Sequence, residues 1–246
     1  LVSVYRDTYL NLSNDSYNKC NSAYAKGGPE MAISMLNMNL DMNITDFVTV
    51  GFAGLADTID ALGGVMIDVD EAEINHLNSY QFTMAQQLKK EYKEVTQTGY
   101  QRLNGLQATA YCRIRYTAGD DFKRTERQRE VLMAVAEEAK KASPATLNEI
   151  ANSVFNEVYT SLDLAEIIEL LGEISNYEIV DQAGFPNEQY RTTGNIGSKG
   201  SCVIPVDLTE NVEWLHGFLF GEDYTASSDV QKYSEKIKSD TSPYLK

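Results

Sequence analysis

The 246-residue sequence predicts an α/β protein, and three observations support that prediction. Short runs rich in β-branched residues alternate with segments of helical periodicity. Glycine pairs and proline punctuate these segments, as at Gly63-Gly64 and Gly27-Gly28-Pro29. Hydrophobic residues make up 43% of the chain, which is typical of a globular protein with its own core. The alternation favours a layered sheet covered by helices.

The amino-terminal half contains the clearest alternation. A buried strand is predicted over residues 1–6, and Pro29 at a first helical position predicts a helix after the polar, turn-rich residues 7–28. The elements predicted next are a strand over 47–50, a helix over 53–62, a strand over 65–69 and a helix within 71–93.

Helices dominate the predictions for the second half. The predicted elements are a short helix over 104–111, an extended segment over 112–116, an amphipathic helix over 121–141, helices near 144–157 and 163–175, a strand over 177–180 and a glycine-rich loop over 191–201. Residues 222–246 are polar and weakly patterned. We therefore expect a domain of residues 1–221 followed by a loosely attached polar tail over 222–246.

Composition and motif searches argue against several classes of function. The formal net charge of −15 disfavours binding to nucleic acid. The chain contains no GxxxxGK[ST] phosphate loop, no GxSxG nucleophile motif and no HExxH zinc motif. The three cysteines are too far apart for a CxxC metal site, and both histidines are expected at the surface. No run reaches the ~18 apolar residues of a membrane-spanning helix.

Arginines cluster in one stretch of this acidic chain. Guanidinium groups donate paired hydrogen bonds that match the oxygens of phosphate. The clustering therefore predicts a site for a phosphorylated anion. Six of the eight arginines fall in this stretch, namely Arg102, Arg113, Arg115, Arg124, Arg127 and Arg129.

Arg113 and Arg115 lie two residues apart in the segment predicted to be extended. Side chains at this spacing project from the same face of an extended chain. The neighbours Cys112, Ile114 and Tyr116 would then face a core. Two guanidinium groups on one face suit a phosphate ligand.

The start of the long helix breaks a local rule. Asp120 or Asp121 is placed to cap the helix. Lys123, Arg124 and Arg127 follow in its first turns, where the partly positive helix terminus disfavours cations. Arg124 also shares the spacing of the apolar stripe, so we expect it to point inward. Added arginines at a helix N-terminus favour an anion site.

Ion pairing is the alternative interpretation of the same arginines, because acidic residues flank them. A solvated helix face carrying ion pairs would give a similar pattern. We favour ion pairing on a solvated face for Arg127 and Arg129. We favour anion binding for Arg113, Arg115 and Arg124.

Six short motifs occur in order along about the first 140 residues. They are Ser3-Val4-Tyr5-Arg6-Asp7-Thr8, Lys19-Cys20-Asn21-Ser22-Ala23-Tyr24-Ala25-Lys26-Gly27-Gly28, Asp60-Ala61-Leu62-Gly63-Gly64-Val65, Leu103-Asn104-Gly105-Leu106-Gln107-Ala108, Tyr111-Cys112-Arg113-Ile114-Arg115 and Asp121-Phe122-Lys123-Arg124-Thr125-Glu126-Arg127-Gln128. Together they resemble the LytR-CpsA-Psr family of bacterial cell-envelope phosphotransferases. Tyr5 replaces the family's usual proline.

The resemblance implies an αβα sandwich with a central mixed β-sheet flanked by helices. It implies a phosphotransferase that moves a glycopolymer phosphosugar, such as that of teichoic acid or capsule polysaccharide, from a polyprenyl-pyrophosphate carrier to a peptidoglycan hydroxyl of the cell wall. It also implies a position on the extracytoplasmic face of the bacterial membrane, with an amino-terminal membrane anchor in the full-length protein. Nucleic acid is not among the implied partners.

The resemblance also assigns site residues. Those implied to bind the substrate pyrophosphate are Arg6, Lys19, Arg113, Arg115, Arg124 and Gln128. The implied catalytic residues are Arg115, Asp121 and Arg124. Asp121 would orient an arginine or act as the base on the acceptor hydroxyl, and Asp7 is expected to be structural.

Family members use Mg²⁺, and the resemblance places its two aspartate ligands before residue 1, so none is assigned here. The opening residues look like a strand already under way. We therefore expect a chain that lacks the first strands, binds Mg²⁺ poorly and is inactive alone. A non-catalytic extracytoplasmic module that binds polyprenyl-phosphate lipids or anionic glycans is the alternative function, because the same arginines would serve it.

Overall fold

The computed structural model describes residues 1–13, 15–115 and 120–244, and the α/β class is confirmed. Its strands and α-helices, in chain order, are β1 (Val2–Val4), β2 (Tyr9–Asn11), β3 (Tyr17–Lys19), α1 (Asn21–Leu40), β4 (Val48–Val50), α2 (Phe52–Ala61), β5 (Val65–Val69), α3 (Glu71–Leu88), β6 (Gly99–Leu103), α4 (Gly105–Tyr111), α5 (Asp120–Lys141), α6 (Pro144–Val154), β7 (Val158–Thr160), α7 (Leu164–Gly172), β8 (Ala183–Phe185), β9 (Arg191–Asn195), β10 (Ser201–Pro205), α8 (Leu208–Phe220) and α9 (Ser228–Thr241).

The strands pair two by two within the described ranges. β1 and β8 are parallel, whereas β2 with β3, β4 with β7, β5 with β6 and β9 with β10 are antiparallel. Both orientations of a mixed sheet are therefore present. Among the described residues they occur in two-stranded ladders, and each strand is three to five residues long.

The chain forms two compact units. We call Leu1 with Val48–Asp181 the central unit, and Val2–Phe47 with Gln182–Lys246 the terminal unit. This division differs from the single domain over 1–221 that the sequence predicts. Among the residues that the structure describes, no helix is long and apolar enough to cross a bilayer.

The core of the central unit lies between the β5–β6 ladder and helices α2 to α5. Ile59, Leu77 and Ile114 are fully buried there. Gly105, the first residue of α4, lies against α2, and a Cβ atom at this position would come 1.9 Å from the Ala56 carbonyl oxygen. The two helices therefore meet backbone to backbone.

Two predicted elements in the terminal unit have a different form. α1 begins at Asn21 and is interrupted at Gly27 and Gly28, so the start predicted at Pro29 marks only its second half. Gly28 has a φ of 67°, the left-handed region that glycine tolerates. The glycine-rich loop predicted over 191–201 is instead the β9–β10 hairpin, whose buried residues include Ile204.

The predicted strand over 177–180 is wrong, because residues 177–182 are irregular and β8 starts at Ala183. The expectation that both histidines lie at the surface is wrong for His216, which is buried and bonds the Leu40 carbonyl through Nε2 at 2.9 Å. That imidazole satisfies a carbonyl at the end of α1.

Helix α9 differs from the loosely attached tail predicted over 222–246, of which residues 245–246 lie outside the described ranges. Val230 and Ile237 of α9 are fully buried in the main core of the terminal unit. Ser234 and Thr241 complete the inner stripe. Two of these four positions are polar, so composition hid the helical pattern.

Candidate anion-binding site

The segment that follows α4 leaves it through turns rather than as an extended chain. The amides of Arg113 and Ile114 each donate to a carbonyl three residues earlier, at 3.0 and 3.2 Å. The extended segment predicted over 112–116 is therefore wrong at its start. Tyr116, which was expected to face the core, lies outside the described residues.

Burial along this segment nevertheless alternates as predicted. Cys112 and Ile114 are buried, whereas Arg113 and Arg115 are half-buried. The turn thus keeps the two apolar side chains in the core and leaves both arginines partly accessible.

Asp121, in the first turn of α5, joins two of the predicted site arginines. Its Oδ1 atom accepts a hydrogen bond from Arg115 Nε at 3.1 Å and lies 3.1 Å from Arg124 Nη1. Arg124 is only 8% exposed, so it points inward as the spacing predicts. Arg115 is more open, with 40% of its side chain exposed. One carboxylate orients two guanidinium groups and leaves a positive charge for a ligand.

Arg113 is held by two aromatic rings. Its guanidinium carbon lies 4.7 Å from the ring centre of Phe52 and 5.2 Å from that of Tyr80. Within the described ranges its buried Nη1 atom makes no hydrogen bond. Rings attract the guanidinium charge without using its N–H donors, which remain suited to an anionic ligand.

Gln128 connects α5 to the same segment. Its Nε2 atom donates to the Cys112 carbonyl at 3.4 Å, and the residue is exposed. This contact brings Gln128 to the segment that carries Arg113. Its role in pyrophosphate binding stays a prediction.

Arg127 and Arg129 do not lie on the solvated helix face that the ion-pair interpretation predicts, because they are 3% and 6% exposed. Arg127 pairs instead with Glu73 of α3, whose Oε1 atom lies 2.6 Å from Arg127 Nε. The expected kind of surface pair does occur on α5, between Lys123 and Glu126 at 2.8 Å.

In the terminal unit, Asp7 lies between the other two predicted cations. Its Oδ1 atom is 3.6 Å from Arg6 Nε and 3.5 Å from Lys19 Nζ. Half of the Arg6 side chain is exposed. These distances exceed those of good hydrogen bonds, so the carboxylate attracts both cations without fixing them closely.

Backbone bonds shape the loop that carries Arg6. The Tyr5 amide donates to the Phe185 carbonyl at 2.9 Å, and Thr8 Oγ1 donates to the Tyr5 carbonyl at 2.7 Å. The Cys20 thiol lies beneath, 3.1 Å from the Tyr5 carbonyl and 3.2 Å from that of Arg6. The loop is therefore anchored to a strand and to the start of a helix.

Tyr5 itself is held by a residue that the sequence interpretation missed. Arg191 Nη1 donates to the Tyr5 hydroxyl at 3.1 Å, and its guanidinium carbon lies 4.9 Å from the ring centre. Gly184 makes room for the ring, since a Cβ atom there would come 2.0 Å from the hydroxyl. The sequence signal for this contact was Tyr5 itself, because a tyrosine in place of the family's proline needs a partner for its ring and hydroxyl.

All three cysteines are free and buried. Burial raises the pKa of the Cys20 and Cys112 thiols to about 12, so both are protonated at neutral pH. Protonated thiols are poor nucleophiles. The two thiols therefore support neighbouring site residues by packing rather than by chemistry.

The predicted site residues thus form two groups. The central unit brings together Arg113, Arg115, Asp121, Arg124 and Gln128, and the terminal unit holds Arg6 and Lys19 beside Asp7. In each group the cations outnumber the carboxylate. Such arrangements bind phosphate oxygens and neutralise charge. The residues that sequence reasoning missed in the central unit are Phe52, Glu73 and Tyr80, which support the arginines from α2 and α3.

Comparison with known proteins identifies relatives of the chain. Residues 1–211 match the LytR_cpsA_psr family. Biofilm regulatory protein A of Streptococcus mutans is 27% identical over 95% of this chain and 63% of the relative. TagT of Bacillus subtilis, a polyisoprenyl-teichoic acid–peptidoglycan teichoic acid transferase, is 29% identical over 79% of this chain and 58% of the relative. The chain therefore spans about three fifths of the length of these two relatives.

Solved structures share the fold. A crystal structure of an Enterococcus faecalis protein described as a transcriptional regulator has a TM-score of 0.72 and 23% identity, over 99% of this chain and 83% of the other. A structure of TagT bound to LI-WTA has a TM-score of 0.63 and 21% identity, over 97% and 77%. At these identities the likeness shows the fold alone.

Proposed function

The chain belongs to the LytR-CpsA-Psr family, and we propose that it transfers a glycopolymer phosphosugar from a polyprenyl-pyrophosphate carrier to a peptidoglycan hydroxyl. The observation that carries the proposal is the arginine group of the central unit. Arg115 and Arg124 both contact Asp121. Arg113, two residues before Arg115, is held by aromatic rings that do not use its N–H donors. The curated relative TagT is named as a transferase of this kind.

The proposed chemistry needs positioning and charge neutralisation more than covalent help. The acceptor oxygen forms a bond to the sugar-linked phosphorus, the bond from that phosphorus to the polyprenyl phosphate breaks, and the electron pair leaves with the polyprenyl phosphate. The hydroxyl proton passes to solvent. Arginines stabilise the negative charge that spreads over the phosphoryl oxygens. Asp121 Oδ1 lies 3.1 Å from both Arg115 Nε and Arg124 Nη1, so we assign Asp121 the orienting role.

Mg²⁺ remains an expectation from the family. In the described part of the chain, no group of three or more His, Cys, Asp or Glu side chains is placed to hold a metal ion. The carboxylates nearest the site cations, Asp7 and Asp121, each already lie between two cations. These residues do not fit a metal site, and the proposed steps use the arginines.

We also propose an apolar surface for the carrier lipid. A cleft of about 340 Å³ lies in the central unit between the end of α5 and helices α6 and α7, with Leu147, Ile168 and Leu171 in its lining. Arg124 lies near the start of α5, and Lys140 at this cleft lies near its end. A long polyprenyl chain suits such a surface.

The proposed location, as for the family, is the extracytoplasmic face of the membrane.

Arginine substitutions in the full-length protein test the proposal. Arg113→Ala and Arg115→Ala are expected to abolish transfer of lipid-linked glycopolymer to peptidoglycan while thermal unfolding stays cooperative. Lys123→Ala is the matched control, because Lys123 is a cation on the exposed face of α5. Activity unchanged in both arginine variants would refute the site, and lipid binding without any transfer by the wild type would favour a binding module.

A further inference from the structure

Helix α3 supports the arginine segment of the central unit at two points. Glu73 and Tyr80 are seven residues apart, two helical turns, and therefore share one face of α3. Tyr80 contacts the Arg113 guanidinium, and Glu73 pairs with Arg127 of α5. One helix face thus contacts both the site arginine and the helix that follows it.

Glu73 is engaged through both carboxylate oxygens. Its Oε2 atom accepts from the Asp70 amide at 3.0 Å and completes a capping box at the start of α3. Its Oε1 atom accepts from Arg127 Nε at 2.6 Å, with 8% of the Glu73 side chain and 4% of the Arg127 side chain exposed. Water screens such a buried pair weakly.

Arg127 in turn reaches the backbone of the arginine segment. Its Nη1 atom donates to the Ile114 carbonyl at 3.3 Å, while the adjacent Gln128 donates to the Cys112 carbonyl at 3.4 Å. These two carbonyls flank Arg113 in the chain. The bonds therefore hold the peptide that precedes Arg113 and the peptide that precedes Arg115.

We propose that the buried Glu73–Arg127 pair is a positioning device that sets the spacing of Arg113 and Arg115 for a diphosphate. This inference rests on the proposed function, because it assigns the pair a purpose at that site. Both side chains are buried, so we assign them a positioning role rather than a contact with substrate. Glu73 orients Arg127, Arg127 holds the Ile114 carbonyl, and that carbonyl lies between the two arginines. Displacing catalytic groups by about 1 Å costs on the order of 100-fold in rate, so such a support is consequential.

The test uses a double variant, Glu73→Gln/Arg127→Met, in the full-length protein. Glutamine at this position retains the capping box, and methionine keeps much of the buried volume. Replacing both members of a buried pair avoids leaving one charge unpaired, so the fold is expected to survive with Tm close to that of the wild type. Lys123→Met/Glu126→Gln is the matched control, because it removes an exposed ion pair from the same helix.

The readout is the affinity for farnesyl pyrophosphate compared with that for farnesyl phosphate. We expect the double variant to bind the pyrophosphate about 10-fold more weakly while the monophosphate affinity changes little, because only the diphosphate needs both arginines at a fixed spacing. General destabilisation would lower both affinities together. The control variant is expected to match the wild type for both ligands.

Unchanged selectivity in the double variant would overturn the inference, and so would an equal loss for both ligands. If the double variant fails to fold, Arg127→Lys replaces it, since lysine retains the charge opposite Glu73 but lacks the fork that also reaches the Ile114 carbonyl. The same loss of selectivity is then expected, and wild-type selectivity would refute the inference. A wild-type protein that folds but binds neither ligand would instead refute the proposed function.

Discussion

Each cation group places one carboxylate between two cations, but in different surroundings. Asp121 lies 3.1 Å from nitrogens of both Arg115 and Arg124, and Arg124 is buried. Asp7 lies 3.5 to 3.6 Å from Lys19 and Arg6, and half of the Arg6 side chain is exposed. Breaking a buried ion pair costs more stability than breaking a solvent-exposed one. Burial rather than composition therefore determines how much each carboxylate contributes.

The supports behind the two groups differ as well. Side chains from α2 and α3 hold the central arginines, through the rings at Arg113 and the carboxylate at Arg127. Backbone bonds and the Cys20 thiol hold the loop of Arg6. Substitutions should therefore disturb the central group more than the terminal one.

The largest contrast is expected from Asp121→Ala. This change removes a carboxylate from the buried Arg124, which should lower the free energy of unfolding by about 2–3 kcal/mol and transfer by roughly 100-fold. Urea unfolding and a glycopolymer-transfer assay measure the two effects. A loss of stability below about 1 kcal/mol would show that burial at Arg124 does not govern this carboxylate.

Alkaline pH tests a property that the two groups share, which is a buried cysteine thiol close to the site residues. The thiols of Cys20 and Cys112 have an ordinary pKa of 9.0 and a folded pKa of about 12, so their contribution to stability is complete below pH 9 and is lost as the pH rises toward 12. Between pH 8 and pH 10, stability should fall by roughly 1 kcal/mol per thiol. Cys20→Ala and Cys112→Ala should each flatten the urea-unfolding profile, and parallel profiles would contradict the prediction.

Asp7→Ala should lower stability less than Asp121→Ala does, and less than the alkaline titration of the two thiols does. Because Arg6 is half exposed, we expect the free energy of unfolding to fall by less than about 1 kcal/mol and transfer by roughly 10-fold. Thermal unfolding and the same transfer assay provide the comparison with Asp121→Ala. Equal losses in the two variants would remove the distinction between the groups.

Salt should produce the smallest difference. A double-mutant cycle on Asp7 and Arg6 is expected to give a coupling of a few tenths of a kcal/mol at low salt and none in about 0.5 M NaCl. The corresponding cycle on Asp121 and Arg124 should keep most of its coupling, since buried charges are poorly screened. Coupling that disappears equally in both pairs would argue against the contrast.

Local sequence rules predicted much of this structure. Arg124 points inward because it shares the apolar spacing of α5, and short-range periodicity records that spacing. The partner of Arg127 was not predictable in the same way, because Glu73 lies 54 residues earlier and pairs through packing. Two errors have local causes. Ser234 and Thr241 disguised the inner face of α9, and the glycines over 191–201 disguised a hairpin.

Gly105 has a consequence for how relatives of this chain are compared. It belongs to a motif shared with the family, yet its backbone meets that of Ala56, where no side chain fits. Its amide also donates to Asp60 at 2.6 Å. Evolution would preserve glycine here for reasons of space, so invariance in an alignment would not identify a ligand-binding residue at this position. Invariance at 105 would instead report the closeness of two helices, because the clash is with the backbone of Ala56 and no side-chain change at 56 relieves it.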